Sequence, residues 1–295
     1  MKHLLFATLL ILLAASCTER IDVSTDTDPP HLVIYGYINT DTVRHHIRIT
    51  RSAGYFTTHS PEGISHADVT ISTDDQIIHL HENDTIPGLY QTAPNVYGRT
   101  GKTYTLNAKL DFDGDGVQEH YQASSYLTEI NDIDSIALQP SPVFRRAVEL
   151  LLYAQDTQDE NYYSIFVSVN DSILNSRISG FYVMDDVFFN GTYMNGVACY
   201  YLNPKTEDGE LKLIKGDKVT MNINAITKEY ADFISQAKSE IGGTNPIFGG
   251  PPANVETNIR RIEPPGAVDI YGFFTAFPSR YANVIVTEDY SSLGD

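Results

Sequence analysis

Tryptophan is absent from the 295 residues, and cysteine occurs only twice, as Cys17 and Cys199. Without the indole, the largest apolar ring available for stacking, a carbohydrate platform is disfavoured. Two cysteines exclude a disulfide framework and a cysteine-based zinc site. Positive charge is also scarce, with 20 Lys and Arg against 38 Asp and Glu and a formal net charge of −18. Nucleic acid is therefore excluded as a partner, because its affinity rests on cations that neutralise phosphates. Charge-driven adsorption to anionic lipid is excluded on the same ground. The apolar run from Leu4 to Leu13 falls short of the ~20 residues that a membrane-spanning helix needs. No H-E-x-x-H, G-x-S-x-G or Gly-Lys-Ser/Thr motif is present, so the chain is expected not to be an enzyme.

That short apolar run belongs to a recognisable beginning. Lys2 precedes it, and Ala14-Ala15-Ser16-Cys17 follows, which is the layout of a secretory signal. Small residues directly before a cysteine resemble a bacterial lipobox, in which the thiol receives a diacylglycerol and becomes the new N-terminus. Leu13 lies one place further from Cys17 than in the commonest pattern. The expectation is a signal over residues 1–17 and an outer-membrane lipoprotein anchored through Cys17, several acyl chains giving a stable hold. An ordinary secreted protein, cut nearby and left with a free cysteine, is the alternative. Residues 18–30 are acidic and rich in Thr and Asp, and read as a disordered tether with too little apolar surface to order itself. Glu19 and Asp22 loosely resemble the surface-export signals of Bacteroidota lipoproteins, and a solvated tether explains them equally well.

The hydrophobic share of 42% is enough for real cores, and the length suggests two domains. Strand-like segments begin at Leu32–Ile38 and Val43–Thr50, which make a hairpin across residues 39–42. Residues 67–71, 76–81, 88–91, 103–110 and 120–127 continue the pattern. Short alternating segments with turn signals between them predict a sandwich, so residues 31–130 are read as an immunoglobulin-like β-sandwich. Residues 131–295 are read as a second β-rich domain. Its strands are expected at 136–138, 148–154, 162–169, 180–189, 197–202 and 218–223, and three more at 255–262, 268–276 and 282–287. One amphipathic helix is predicted near 226–241, where Ile226, Tyr230, Phe233, Ile234, Ala237 and Ile241 share a stripe. Thr227 can cap it, and Gly242-Gly243 stops it. The Gly/Pro stretch 244–253 then reads as a rigid crossing.

Several of these pieces come in a familiar order. Leu32-Val33-Ile34-Tyr35-Gly36-Tyr37-Ile38, Ala67-Asp68-Val69-Thr70-Ile71, Gly88-Leu89-Tyr90 and Gly101-Lys102-Thr103-Tyr104-Thr105-Leu106 follow the lipobox. The helix, Asn245-Pro246-Ile247-Phe248, Pro251-Pro252-Ala253-Asn254-Val255, Asn258-Ile259 and Gly272-Phe273-Phe274-Thr275-Ala276 complete the series. In order and spacing they resemble the domain-of-unknown-function 4249 family of Bacteroidota lipoproteins, over nearly the whole mature chain. Genes of that family typically lie beside TonB-dependent outer-membrane transporters. The resemblance therefore implies a non-catalytic envelope lipoprotein that assists uptake of a ligand, with such a transporter as its partner. It carries over no catalytic residue. A surface structural or adhesion module is the alternative of a different class.

Among local motifs the sharpest is Asp111-Phe112-Asp113-Gly114-Asp115-Gly116-Val117-Gln118-Glu119. Alternate carboxylates followed by glycine match the start of a calcium loop, with Asp111, Asp113 and Asp115 as side-chain ligands and Glu119 near a later position. The place of the closing bidentate Glu holds Gln122, and Asp-Gly is also favoured hairpin chemistry. Both readings stand. Otherwise no cofactor is expected. His79 and His81 share a strand face, among the histidines 31, 45, 46, 59, 66 and 120, and solvated histidines are the default. Cys199 sits in an apolar run and is expected to be a small buried hydrophobe. Asp185-Asp186 is an acidic pair of a kind expected by chance in so acidic a chain. Tyr193, Tyr200, Tyr201 and Phe248 are aromatic contact candidates, with core packing as the ordinary role of each.

Overall fold

The computed structural model describes residues 29–53, 60–203, 205–206, 209–211, 213–242, 255–266, 269–290 and 293. Cys17 and the signal, the tether up to residue 28, His59 and the Gly/Pro stretch with Phe248 lie outside the described residues. The first seven strands are β1 (Leu32–Asn39), β2 (His46–Arg51), β3 (Asp68–Ser72), β4 (Ile77–Glu82), β5 (Leu89–Gln91), β6 (Lys102–Leu110) and β7 (Glu119–Leu127). Then follow β8 (Ile133–Pro140), β9 (Val148–Gln155), β10 (Tyr162–Val169), β11 (Ser172–Ile173), β12 (Tyr182–Asp185) and β13 (Tyr193–Leu202). A two-strand ribbon, β14 (Lys205–Thr206) and β15 (Gly209–Glu210), leads to β16 (Lys218–Ile226) and the helix α1 (Lys228–Ile241). The chain ends with β17 (Arg260–Glu263), β18 (Ile270–Phe277) and β19 (Ser279–Ile285). The protein is thus mostly β, with one α-helix among the described residues.

Alternation explains the first unit. Along β1, Leu32, Ile34 and Ile38 are buried, and along β6 Tyr104, Leu106, Ala108 and Leu110 are, as period-two side chains require. The expected β1–β2 hairpin forms, with Ile34 opposite Ile49. The layers of this unit belong to one nine-stranded sheet, in the order β17-β7-β6-β3-β4-β5-β2-β1-β18. Strand β4 turns the corner, pairing with β3 through Ile77–Leu80 and with β5 through His81 and Glu82. The sheet curls until its ends meet. The Ala276 N–H donates to Ser125 Oγ at 2.9 Å. Asn258 receives the Phe274 N–H and gives its own amide to the Phe274 and Ser124 carbonyls. Leu127 of β7 and Phe274 of β18 therefore lie in one core.

Two strands correct the division placed after residue 130. Strand β17 pairs with β7, and β18 runs parallel to β1, with Leu32 opposite Ile270 and Asn39 opposite Phe277. The first unit is completed from the far end of the chain. Strand β18 carries the sequence Ile-Tyr-Gly-Phe-Phe-Thr-Ala-Phe and is buried along most of its length, as a strand covered on both faces must be. Thr275 on it is fully buried, and its hydroxyl has no partner among the described residues. Thr275→Val, which keeps the shape and removes that hydroxyl, is expected to raise stability by about 1 kcal/mol. A urea midpoint that falls would contradict this.

The second unit packs two sheets face to face. One is β13-β9-β8, and the other is β11-β10-β16-β19 with β12 beside β10. Leu150 and Leu152 of β9 meet Ile165 and Val167 of β10 and Met221 and Ile223 of β16 in its core. The segments either side of Asn190-Gly191-Thr192 go to different sheets, β12 to β10 and β13 to β9. Helix α1 begins where Thr227 accepts the Tyr230 N–H, with Glu229 in the first turn, both favourable at a helix N-terminus. It buries Tyr230, Ala231, Phe233 and Ile234. Ile241 is 57% exposed and drops out of the predicted stripe.

The units are joined by an aromatic seam. Tyr230 and Phe233 of α1 lie 5.3 and 5.0 Å from the Phe273 ring of β18. Tyr35 of β1 stacks near Phe233, and its hydroxyl meets that of Tyr230 at 2.7 Å. Ile226 and Phe277 complete this third cluster.

Candidate functional site

Beside the seam lies a cleft of about 450 Å³. Its floor is the outer face of the second unit's sheet. In β10 and β16 the residues Tyr163, Ile165, Val167 and Val219, Met221, Ile223 turn inward to the core. Alternation then puts Ser164, Phe166 and Ser168, with Thr220, Asn222 and Asn224, on the other face. Register aligns them, Ser164 opposite Asn224, Phe166 opposite Asn222 and Ser168 opposite Thr220. Strand β19 extends the rows with Ser279 beside Asn224 and Tyr281 beside Asn222.

The facing wall comes from the first unit and the helix. Tyr35, Tyr37 and Asn39 occupy alternate positions of β1, followed by Asp41, with Tyr230 and Phe277 at the seam side. A buried hydrogen-bond chain ties wall to floor. Asn39 Nδ2 donates to Ser279 Oγ at 3.0 Å, and the Ser279 hydroxyl donates to Asn224 Oδ1 at 2.7 Å. The Asn224 amide in turn reaches Ser164 Oγ at 3.3 Å. Such a fully connected chain fixes the mutual position of its members. Asp41 is held by Asn39 Nδ2 at 2.8 Å and by the Tyr281 hydroxyl at 2.5 Å.

The electrostatics are simple. Among the described lining residues Asp41 is the one charged group, and no Lys, Arg or His is present. Burial raises the phenol pKa of Tyr35, Tyr37 and Tyr230. Burial, with the Asp41 carboxylate, does the same for Tyr281. These hydroxyls are neutral donors and acceptors. Stacked Tyr37 and Phe277, with centroids 5.2 Å apart, and edge-to-face Phe166 and Phe181, 4.8 Å apart, supply apolar surface.

The described residues that the sequence offers as metal, catalytic or contact candidates lie elsewhere. Asp111, Asp113 and Asp115 do converge, with ligand oxygens within 4.8 Å of one another. Each carboxylate, however, is already engaged by the turn. Asp111 accepts the Gly114 and Gly116 amides at 2.8 and 2.9 Å, Asp113 accepts that of Asp115, and Asp115 that of Val117. Gly114 and Gly116 have φ of 79° and 87°, the left-handed region where glycine is at ease. Glu119 is corrected out of the group. It is buried and accepts the Phe112 N–H at 2.9 Å, closing the neck of the β6–β7 hairpin. The carboxylates thus satisfy a hairpin by themselves. Millimolar calcium is expected to leave the unfolding midpoint in scanning calorimetry unchanged. A calcium-dependent rise would assign the ion to the three aspartates.

Other candidates resolve as packing or solvated groups. His79 and His81 are exposed on alternate positions of β4. His45 is buried, bonded to the Val96 carbonyl, and burial lowers its pKa. Cys199 is a buried free thiol whose pKa burial pushes up to about 12. Asp185 is exposed while its neighbour Asp186 is fully buried and accepts the Asn161 N–H at 2.8 Å. The two do not face one cleft. Tyr200 packs on the second core, Tyr201 lies 5.0 Å from Phe144, and Tyr193 is half exposed. None of the three lines the cleft.

Neutral side chains on alternate strand positions look like any solvated face, so nothing in the sequence marks the cleft residues. Fold and site together define a two-unit, mostly β protein with a concave, nearly uncharged site between its units. The chain belongs to the family described as Domain of unknown function (DUF4249), whose pattern matches residues 18–281. No curated protein matches it.

Proposed function

We propose that this protein is a non-catalytic, lipid-anchored protein of the outer membrane that captures a ligand for a TonB-dependent transporter and docks on it. The observation that carries the reading is the cleft between the two units, concave, aromatic and dotted with convergent polar groups, which is the ordinary make-up of a ligand site. Its described lining contains hydroxyls but no His, Lys or Cys to activate one, which supports binding over catalysis. The lipobox-like segment ending at Cys17 supports the anchor, and the family resemblance supports the partner. A pull-down of the tagged protein from its native membranes in mild detergent, followed by mass spectrometry, tests the proposal. A stoichiometric TonB-dependent barrel is expected. An empty pull-down with the lipid on Cys17 confirmed would overturn it.

The second reading, a surface structural or adhesion module without a transport role, draws on one feature. Val187 and Phe188, at the tip of the loop after β12, are 65% and 95% exposed. Neighbouring apolar side chains so placed suit a protein contact. Binding to host or cell-wall polymers in the absence of a transporter would favour it.

A further inference from the structure

We propose that the cleft between the two units takes a short, uncharged saccharide, an inference that rests on reading this cleft as the ligand site of the proposed function. An anionic ligand needs cationic or converging N–H groups, and no Lys, Arg or His is present among the described lining residues. Asp41 and the net charge of −18 would repel it. A cationic ligand would call on Asp41 alone, whose Oδ2 already accepts from Asn39 and Tyr281.

The outward face of β3 and β6 mixes the charged pair Asp68 and Lys109 with the neutral pair Thr70 and Asn107. The floor instead carries uncharged groups throughout, with Ser168 opposite Thr220, Ser164 opposite Asn224, and the Phe166 ring opposite Asn222. A purely apolar ligand would leave such groups unpaired, at a cost that polar partners avoid. Thr220 lines the cleft, and its buried Oγ1 has no hydrogen-bond partner among the described residues.

Tyr37, stacked with Phe277, and the half-exposed Tyr281 set ring surface against the polar rows. A pyranose has both complements, a C–H face that packs on an aromatic ring and a rim of hydroxyls that give and accept hydrogen bonds. The lack of tryptophan disfavours a flat platform. In a concave site the area of one indole is replaced by several smaller rings on different sides.

The test is a glycan array probed with the full-length protein in a detergent that has no sugar headgroup, followed by calorimetric titration of the strongest neutral glycan. Retention of neutral glycans is expected, with affinity falling about tenfold or more in Tyr37→Ala and in Asn222→Ala. Val143→Ala, on an exposed residue outside the cleft, should leave it unchanged. Circular dichroism and the milder Tyr37→Phe keep the result readable where an alanine variant misfolds. Binding of acidic glycans only, of no neutral glycan, or of neutral glycans unaffected by both cleft variants would overturn the inference. So would saturable binding of tetramethylammonium in place of sugars, which would make the rings a cation cage. A transporter that still co-purifies when no neutral glycan binds would overturn the ligand class alone. Sugar binding with an empty pull-down would overturn the docking alone.

Discussion

Tyr230→Ala is expected to lower the unfolding free energy by about 3–5 kcal/mol, the range for truncating a buried aromatic. Tyr230 is only 4% exposed, and its ring lies against Phe233 and Phe273 in the seam between α1 and β18. Removing it leaves a void where the two units meet. The surrounding rings sit on α1 (Phe233) and on the first sheet (Tyr35 and Phe273), and cannot collapse onto one another without moving the helix against that sheet. Tyr230→Phe keeps the ring and loses only the 2.7 Å contact with the Tyr35 hydroxyl, so about 1 kcal/mol is expected from it. Urea unfolding of both variants measures the difference. Equal losses would mean that the hydroxyl pair, and not the packed ring, holds the seam.

The second large effect falls at Gly272. Its φ is +100°, and it lies opposite Ile34 in the parallel β1–β18 pair. An added Cβ would sit 2.0 Å from the Ile34 carbonyl oxygen and 2.7 Å from its carbon. Both are backbone atoms, so no side-chain rotation relieves the clash. The left-handed backbone alone costs a non-glycine residue about 1–3 kcal/mol, and displacing a paired strand adds to that. Gly272→Ala should therefore cost more than about 3 kcal/mol, a loss of the size reserved for named structural defects. Faster amide exchange along β1 should accompany it. Since β1 carries Tyr35 and Tyr37, the cleft wall loosens with it. A variant within about 0.5 kcal/mol of the parent, the usual size of an innocuous surface change, would show that the seam tolerates an extra atom there.

What could be read from the sequence was local. Strands β1 to β7 announce themselves by alternation, and α1 by its stripe and its Thr227 cap, because these patterns depend on neighbours in the chain. The return of β18 to the first sheet depends on a partner at the other end of the chain, and nothing near residue 270 encodes it. Its apolar run does signal burial on both faces, with Phe274 and Ala276 in the first core and Phe273 and Phe277 in the seam. The sequence identifies the strand but not its sheet. The Asp-rich turn was legible as a turn, whereas the inward course of Glu119 was not, since a one-residue change of face decides it. The cleft was the least legible feature. Ser164, Asn222 and Asn224 became a candidate site only when Tyr35, Tyr37 and Asp41 of the other unit were set across from them.

The central claim is that a small ligand is captured between the two units, and a photo-crosslinker placed at the rim tests it most directly. Ile173 lines the cleft and is 56% exposed, so a benzophenone side chain fits there without disturbing the seam. In living cells, irradiation of the protein carrying it should yield a discrete small-mass adduct by intact-protein mass spectrometry. The same probe at Val143, 70% exposed and outside the cleft, should yield none. No adduct at position 173, or the same adducts at both positions, would contradict the claim.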